Sequence, residues 1–206
     1  MRVAGRFPAV EWAADGQPIA GESESGDLHV AAAFEGGALL GMIDGLGHGP
    51  EAAAAARVAA ALLESQAERP LPTLIQACHE ALRPTRGAVL SLAAIDARNG
   101  RLTWAGVGNV EVVLTRADPA QAPRRERILL RSGVVGYQLP ALRTTDHAIF
   151  PGDVLVFATD GLRHEFSEDV PLAMAPAQLA EHLLRTYGRS ADDATVLVGR
   201  YLGGAA

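Results

Sequence analysis

The sequence predicts an α+β protein, and three observations carry that reading. About ten short apolar runs of strand character are separated by glycine, proline and aspartate turns. Three longer segments repeat apolar residues at helical spacing. A tight turn at Glu35-Gly36-Gly37 joins two of the runs, so those two pair antiparallel.

Taken in order, residues 1–13 form one or two short strands with Val10, Trp12, Val3 and Phe7 facing inward, and Asp15 to Ser25 is polar enough to be a loop. Gly26-Asp27 opens the next strand, Leu28 to Phe34, and the following one runs from Ala38 to Asp44. If the turn is the two-residue Glu35-Gly36, Phe34 opposes Gly37 and Asp27 falls opposite Asp44; a three-residue turn shifts this register by one. Opposed side chains sit ~5 Å apart, and two carboxylates at that distance repel by ~3 kcal/mol at an effective dielectric of 20, so positive charge belongs between them. Gly45, Gly47 and Gly49 then let the chain bend sharply, Pro50 suits a first helical turn, and Glu51 meets the positive end of the helix dipole.

Ala52 to Leu63 is alanine-dense and helical. A second helix spans Pro72 to Leu82, with Leu71, Leu74, Ile75, Cys78 and Leu82 on one face. Cys78 therefore reads as core. From Gly87 the pattern returns to strands: Ala88 to Ile95, Leu102 to Val107 and Val110 to Thr115. Ala105-Gly106-Val107-Gly108-Asn109 has part of a dinucleotide fingerprint but no following helix, so it reads as a hairpin turn. Ala117 to Arg127 is a charged loop, with Arg124, Arg125 and Arg127 set as a docking patch against an ordinary solvated surface. Ile128 to Leu130 forms a strand and Ser132 to Leu142 a loop. Val154 to Ala158 is an apolar strand that delivers Thr159-Asp160-Gly161, repeating the earlier delivery of Asp44-Gly45. Pro176 to Tyr187 is the third helix, closed by Gly188, and Asp192-Asp193 precede the last strand, Val196 to Tyr201.

Composition narrows the function. A chain of 206 residues, 49% hydrophobic, suits one domain over 1–206 with ample core. The net charge is −6 and every basic residue is arginine, which argues against nucleic acid as a partner and removes chemistries that need a lysine amine, such as P-loop ATPases and Schiff bases. A single cysteine forms no internal disulfide and points to a reducing cytoplasm. No signal-peptide core and no apolar stretch of ~20 residues is present, so a soluble protein without a membrane partner is expected.

Four acidic points share one placement: Asp27, Asp44, Asp160 and Asp192 or Asp193 each stand where a strand meets a loop. If the strands pack into sheets these points converge, and their charge then needs cations. Oxygen-only ligands select Mg²⁺ or Mn²⁺ with waters completing an octahedron. Asp44 is placed to bridge two ions, with the Gly45 carbonyl as a further ligand. Two such ions orient and activate a water for in-line attack on phosphorus.

Ser25-Gly26-Asp27, Asp44-Gly45-Leu46-Gly47-His48-Gly49, Ala158-Thr159-Asp160-Gly161 and Asp192-Asp193-Ala194-Thr195-Val196 resemble, in order and spacing, the motifs of the metal-dependent protein phosphatase (PPM) family. The form is closest to its bacterial branch, typified by the stage II sporulation E serine phosphatase, and within it to short, sensor-less phosphatases of the RsbX type. The resemblance implies an α-β-β-α four-layer sandwich, two antiparallel sheets flanked by helices with a dinuclear metal site at one edge. It implies Mn²⁺ or Mg²⁺, two ions or three, with Asp44 bridging, Gly45 giving its carbonyl, Asp160 and Asp192 on the first ion, and Asp27 on the second directly or through water. Asp193 is the lesser ligand of its pair and orients water or the neighbouring loop. Asp44, Asp160 and Asp192 are thus the catalytic acids. His48 is a candidate general acid, set against a plain loop residue because Leu46-Gly47 alters its spacing from the family histidine. No arginine adjoins Asp27, so phosphate recognition falls to metal-bound waters or to an arginine such as Arg163. The implied partner is a phosphorylated regulatory protein, a STAS-type antagonist or stressosome scaffold. Two other classes compete: a catalytically silent module of the same fold that sequesters a partner, and another two-metal hydrolase.

Overall fold

The computed structural model describes residues 1–128 and 130–204. Among these described residues eleven strands form two antiparallel sheets. The six-stranded sheet contains β1 (Arg2–Arg6), β2 (Val10–Gln17), β7 (Glu111–Thr115), β8 (Arg125–Arg127), β10 (Val154–Ala158) and β11 (Ala194–Tyr201), in the order β1-β2-β11-β10-β7-β8. The five-stranded sheet contains β3 (Asp27–Phe34), β4 (Gly37–Gly45), β5 (Ala88–Asp96), β6 (Arg101–Val107) and β9 (Thr145–Ala148), in the order β3-β4-β5-β6-β9. α1 (Gly49–Ser65) and α2 (Leu71–Leu82) cover the outer face of the five-stranded sheet, and α3 (Pro176–Tyr187) covers that of the other.

The alternation of β4 shows how one strand serves two layers. Ala38, Leu40 and Met42 point into the core between the sheets, where Phe157, Leu155, Leu197 and Trp104 meet them. Leu39 and Ile43 point the other way, onto the alanine face of α1 and onto Leu74 and Ile75 of α2. Burial on both faces is why this strand reads as an unbroken apolar run rather than an alternating one. Alanines at 52, 55, 56 and 59 are buried and bring the α1 backbone close to the sheet. Cys78 lies in the α2 core, and burial pushes its thiol up to about 12, so it is a packing residue.

Several expectations needed correction. β2 extends through Asp15, Gly16 and Gln17 because Asp15 is paired with Arg2 across the ladder at 2.9 Å. The Gly108-Asn109 turn is not a hairpin: β6 and β7 belong to different sheets, so this turn crosses between layers. The strand expected at 128–130 lies at Arg125–Arg127 instead, paired with β7, and Leu129 falls outside the described residues. Arg125 and Arg127 are not a free docking patch, since both pair with Glu168, at 2.9 and 2.7 Å.

At the end of the sandwich where β10 begins, a buried ionic node ties the sheets together. Arg116 donates to Asp153 at 3.0 Å and pairs with Glu126, which in turn contacts His147 Nδ1 of β9 at 2.6 Å. Asp153 also accepts the backbone N–H groups of Ala117 and Phe150.

Candidate active site

Four strand ends meet at the opposite rim. β3 begins at Asp27 and β4 ends at Asp44-Gly45; the two-residue turn at Glu35-Gly36 sets Asp27 directly opposite Asp44. From the second sheet, β10 leads into Thr159-Asp160, and Asp192-Asp193 lead into β11. The sheets are bonded to each other here. Thr159 Oγ1 donates to Asp27 Oδ2 at 2.7 Å and accepts from the Thr195 N–H at 3.0 Å. Asp193 accepts the N–H groups of Ile19 at 2.7 Å and Gly26 at 2.6 Å, so its carboxylate is committed to holding the loop that enters β3.

Asp27, Asp44, Asp160, Asp192 and His48 line one open cavity of about 600 Å³. Gly45 sits behind that lining, buried against α1, where a Cβ would come within 2.2 Å of the Ala52 carbonyl oxygen. Gly161 plays the same part across the site, since a Cβ there would stand 1.9 Å from the Asp193 carbonyl oxygen. The two Asp-Gly pairs thus mark close backbone approach, with no left-handed conformation at either glycine.

Among the described residues no arginine lines the cavity. Burial, reinforced by the charges of Asp27, Asp160, Asp192 and Asp193, pushes the Asp44 carboxyl up to about 8. Burial also raises Asp27, to about 7; the Thr159 hydroxyl opposes that shift, and Asp193 and Asp160 add to it. Asp160 is raised by burial and by Asp192, and held back by Asn109 and Arg189.

A divalent ion suits this donor set, although no three His, Cys, Asp or Glu side chains among the described residues stand close enough to form a ready-made cage. Mg²⁺ retains several waters and takes only one or two carboxylates, so a wide cavity with acids on opposite walls fits it better than a tight all-protein cluster would. The donor set is oxygen-only, and burial raises Asp27 and Asp44, so a divalent ion would meet hard ligands whose charged form it favours.

Three further side chains complete the surroundings. Asn109, delivered by the crossover between sheets, donates its Nδ2–H to Asp160 Oδ2 at 2.7 Å. Sequence reasoning missed it; the signal was a polar residue closing a glycine turn between strands, misread as a hairpin. His48 is exposed, precedes α1 as its N-cap residue, and its Nδ1 lies 3.0 Å from Glu22 Oε1. Arg163 does not reach the acids, for its guanidinium stacks over Tyr187 and donates to the Thr186 carbonyl.

Comparison with known proteins supplies an independent line. Residues 35–202 match the family Stage II sporulation protein E (SpoIIE). The phosphoserine phosphatase RsbX of Bacillus subtilis (strain 168) is 26% identical over 186 residues, covering 87% of this chain and 89% of RsbX. A chain solved in work on the bacterial stressosome, described there as a modular system adapted to control secondary messenger signaling, is 34% identical. It superposes with a TM-score of 0.83 over 93% of this chain and 99% of its own. RsbX in complex with magnesium superposes with a TM-score of 0.85 at 22% identity, over 98% of this chain and all of that one, and shares its fold.

Proposed function

The chain belongs to the stage II sporulation protein E family of metal-dependent serine/threonine phosphatases, and we propose that it dephosphorylates a partner-switching regulatory protein. The substrate in this reading is a phosphoserine or phosphothreonine of a STAS-type antagonist or stressosome scaffold, met in the cytoplasm. Support comes from the RsbX relationship and from the stressosome chain at 34% identity. Among the described residues no helix is long and apolar enough to cross a membrane. The observation that carries the reaction is the meeting of Asp27, Asp44, Asp160 and Asp192 around one cavity without a cation to balance them.

In this reading Asp44, Asp160, Asp192 and Asp27, with the Gly45 carbonyl, would hold Mg²⁺ or Mn²⁺. When bound, the ions neutralise phosphoryl charge and activate water for in-line displacement at phosphorus. The chain's own groups hold this arrangement still. The Thr159 hydroxyl fixes one oxygen of Asp27, and the Asn109 amide fixes one oxygen of Asp160. Asp193 ties the entrance of β3 to that of β11. Leu46, Val89 and Val134 give the cavity an apolar wall beside the acids.

The test is hydrolysis of p-nitrophenyl phosphate with Mn²⁺, with and without chelator. Chelation abolishes activity, and Asp160→Asn lowers kcat/KM at least ~100-fold, beyond the 10–100-fold typical of outer-shell changes. Activity indifferent to both sinks the reading. Absence of Mn²⁺ binding by titration calorimetry favours a silent module instead.

A further inference from the structure

Val134, in the segment from Leu130 to Gln138, lines the acidic cavity, and on either side of it the segment is bonded to residues beside that lining. Near its start, the Gly108 N–H donates to the Arg131 carbonyl at 2.7 Å, one residue from Asn109. Further on, Ala88 and Val135 exchange backbone bonds at 3.0 and 2.8 Å, one residue from Val89. Asn109, Val89 and Val134 all line the cavity.

The turn that follows is held equally firmly. Val134 and Gln138 exchange bonds at 2.9 and 2.8 Å, and Tyr137 N–H donates to the Val134 carbonyl at 3.1 Å. Gly136 N–H donates to His79 Nδ1 of α2 at 3.0 Å, and a Cβ on Gly136 would meet Leu82 at 2.8 Å. On this rigid turn Tyr137 is 84% exposed, and Leu130 at the start of the segment is 40% exposed. Scattered exposed apolar residues are ordinary. Both stand on the segment that supplies Val134 to the cavity wall, and an exposed tyrosine offers large contact area at low entropic cost.

A turn closed from residue 137 to residue 134 keeps the Tyr137 Cα within about 7 Å of the Val134 Cα. An extended peptide advances ~3.3–3.6 Å per residue, so a chain whose phosphoserine enters the cavity passes Tyr137 two to four residues away. We propose that Tyr137, aided by Leu130, is the docking contact for an apolar side chain flanking the phosphoserine of a phosphoprotein substrate. This rests on the phosphatase reading and adds a specificity determinant to it. A small phosphate ester occupies the cavity alone and has nothing to place on Tyr137.

The experiment uses the full chain with Mn²⁺ and phosphoserine nonapeptides in a Gly/Ser background, with one leucine moved through the four positions on each side. Wild type gives a kcat/KM peak of at least about fivefold, the equivalent of a >1 kcal/mol contact, at one or two positions. Tyr137→Ser flattens the peak and Tyr137→Phe keeps it, while hydrolysis of p-nitrophenyl phosphate stays within about twofold in both. A flat wild-type scan, or a peak that survives Tyr137→Ser, overturns the docking role. Equal loss on the aryl phosphate also overturns it, by making Tyr137 structural. Failure of wild type to hydrolyse aryl phosphate at all removes the phosphatase reading and this inference with it.

Discussion

The two ends of β10 each bury carboxylates, and the protein treats them in opposite ways. At its start Asp153 is fully buried but receives Arg116 and two backbone N–H groups, and Glu126 beside it has Arg116 and His147. Beyond its end Asp160 shares with Asp27, Asp44 and Asp192 a cavity that, among the described residues, no arginine lines. The same chain can evidently place a guanidinium against a buried acid. Among the described residues Asp27 and Asp44 receive no guanidinium, and burial, with neighbouring carboxylates adding to it, raises both carboxyls; under the proposed function this is the cluster that would take an external cation, whereas the other is closed within the protein.

The largest effect separates the clusters by stability. Arg116→Met strands Asp153 and Glu126, and removing one partner of a buried pair costs about 3–5 kcal/mol, so thermal unfolding falls by at least about 6 °C for a chain of this size. Asp44→Asn removes a charge from the other cluster and has the reverse sign: metal-free protein at pH 8 gains about 1 kcal/mol as repulsion is relieved. Differential scanning calorimetry of both variants checks the contrast. Two losses of similar size would mean the acidic rim is internally compensated after all.

A smaller effect sharpens the same contrast through pH. Asp27 and Asp44 are raised in the folded state, to about 7 and about 8, from an ordinary value of 3.8. Their contribution to stability is therefore fully present below about pH 4 and is lost as pH rises through the folded values. Metal-free protein loses at least about 1 kcal/mol, or 2–4 °C in Tm, between pH 5 and 8. Mn²⁺ binds the ionised carboxylates, so the increment it adds grows over the same interval. A metal-free Tm that rises steadily from pH 5 to 8 would break the link between burial and function.

The asymmetry also explains what the sequence could reveal. Strand-end aspartates followed by glycine are local patterns, and the Glu35-Gly36-Gly37 turn left two countable registers, of which the structure takes the one that opposes Asp27 to Asp44. α3 was legible for a similar reason, being bounded by Pro176 and Gly188. What was hidden is non-local. Whether a Gly-Asn turn returns to the same sheet or crosses to the other depends on which layer has room for β7, and that decision delivers Asn109 to Asp160 across 51 positions. Arg125 and Arg127 read as an exposed patch because their partner, Glu168, lies about forty residues on. Asp193 was seen as an acid of the site, but its two backbone partners, Ile19 and Gly26, stand 174 and 167 positions away.

The smallest effect concerns His48, which shares the cavity with the acids yet has a carboxylate of its own. Its Nδ1 is 3.0 Å from Glu22 Oε1, and Glu22 also packs against Gly49 at the start of α1. That pairing gives the imidazole an anchoring task independent of the phosphoryl group, joining the loop before β3 to the loop before α1. His48→Gln preserves a hydrogen-bonding side chain and lowers kcat on p-nitrophenyl phosphate and phosphopeptide alike by less than about fivefold, without moving the pH profile. A general acid would contribute 10²–10⁴-fold and carry a limb of that profile with it. A loss of that size, confined to the phosphopeptide with its poorer leaving group, would transfer His48 from the loop to the chemistry.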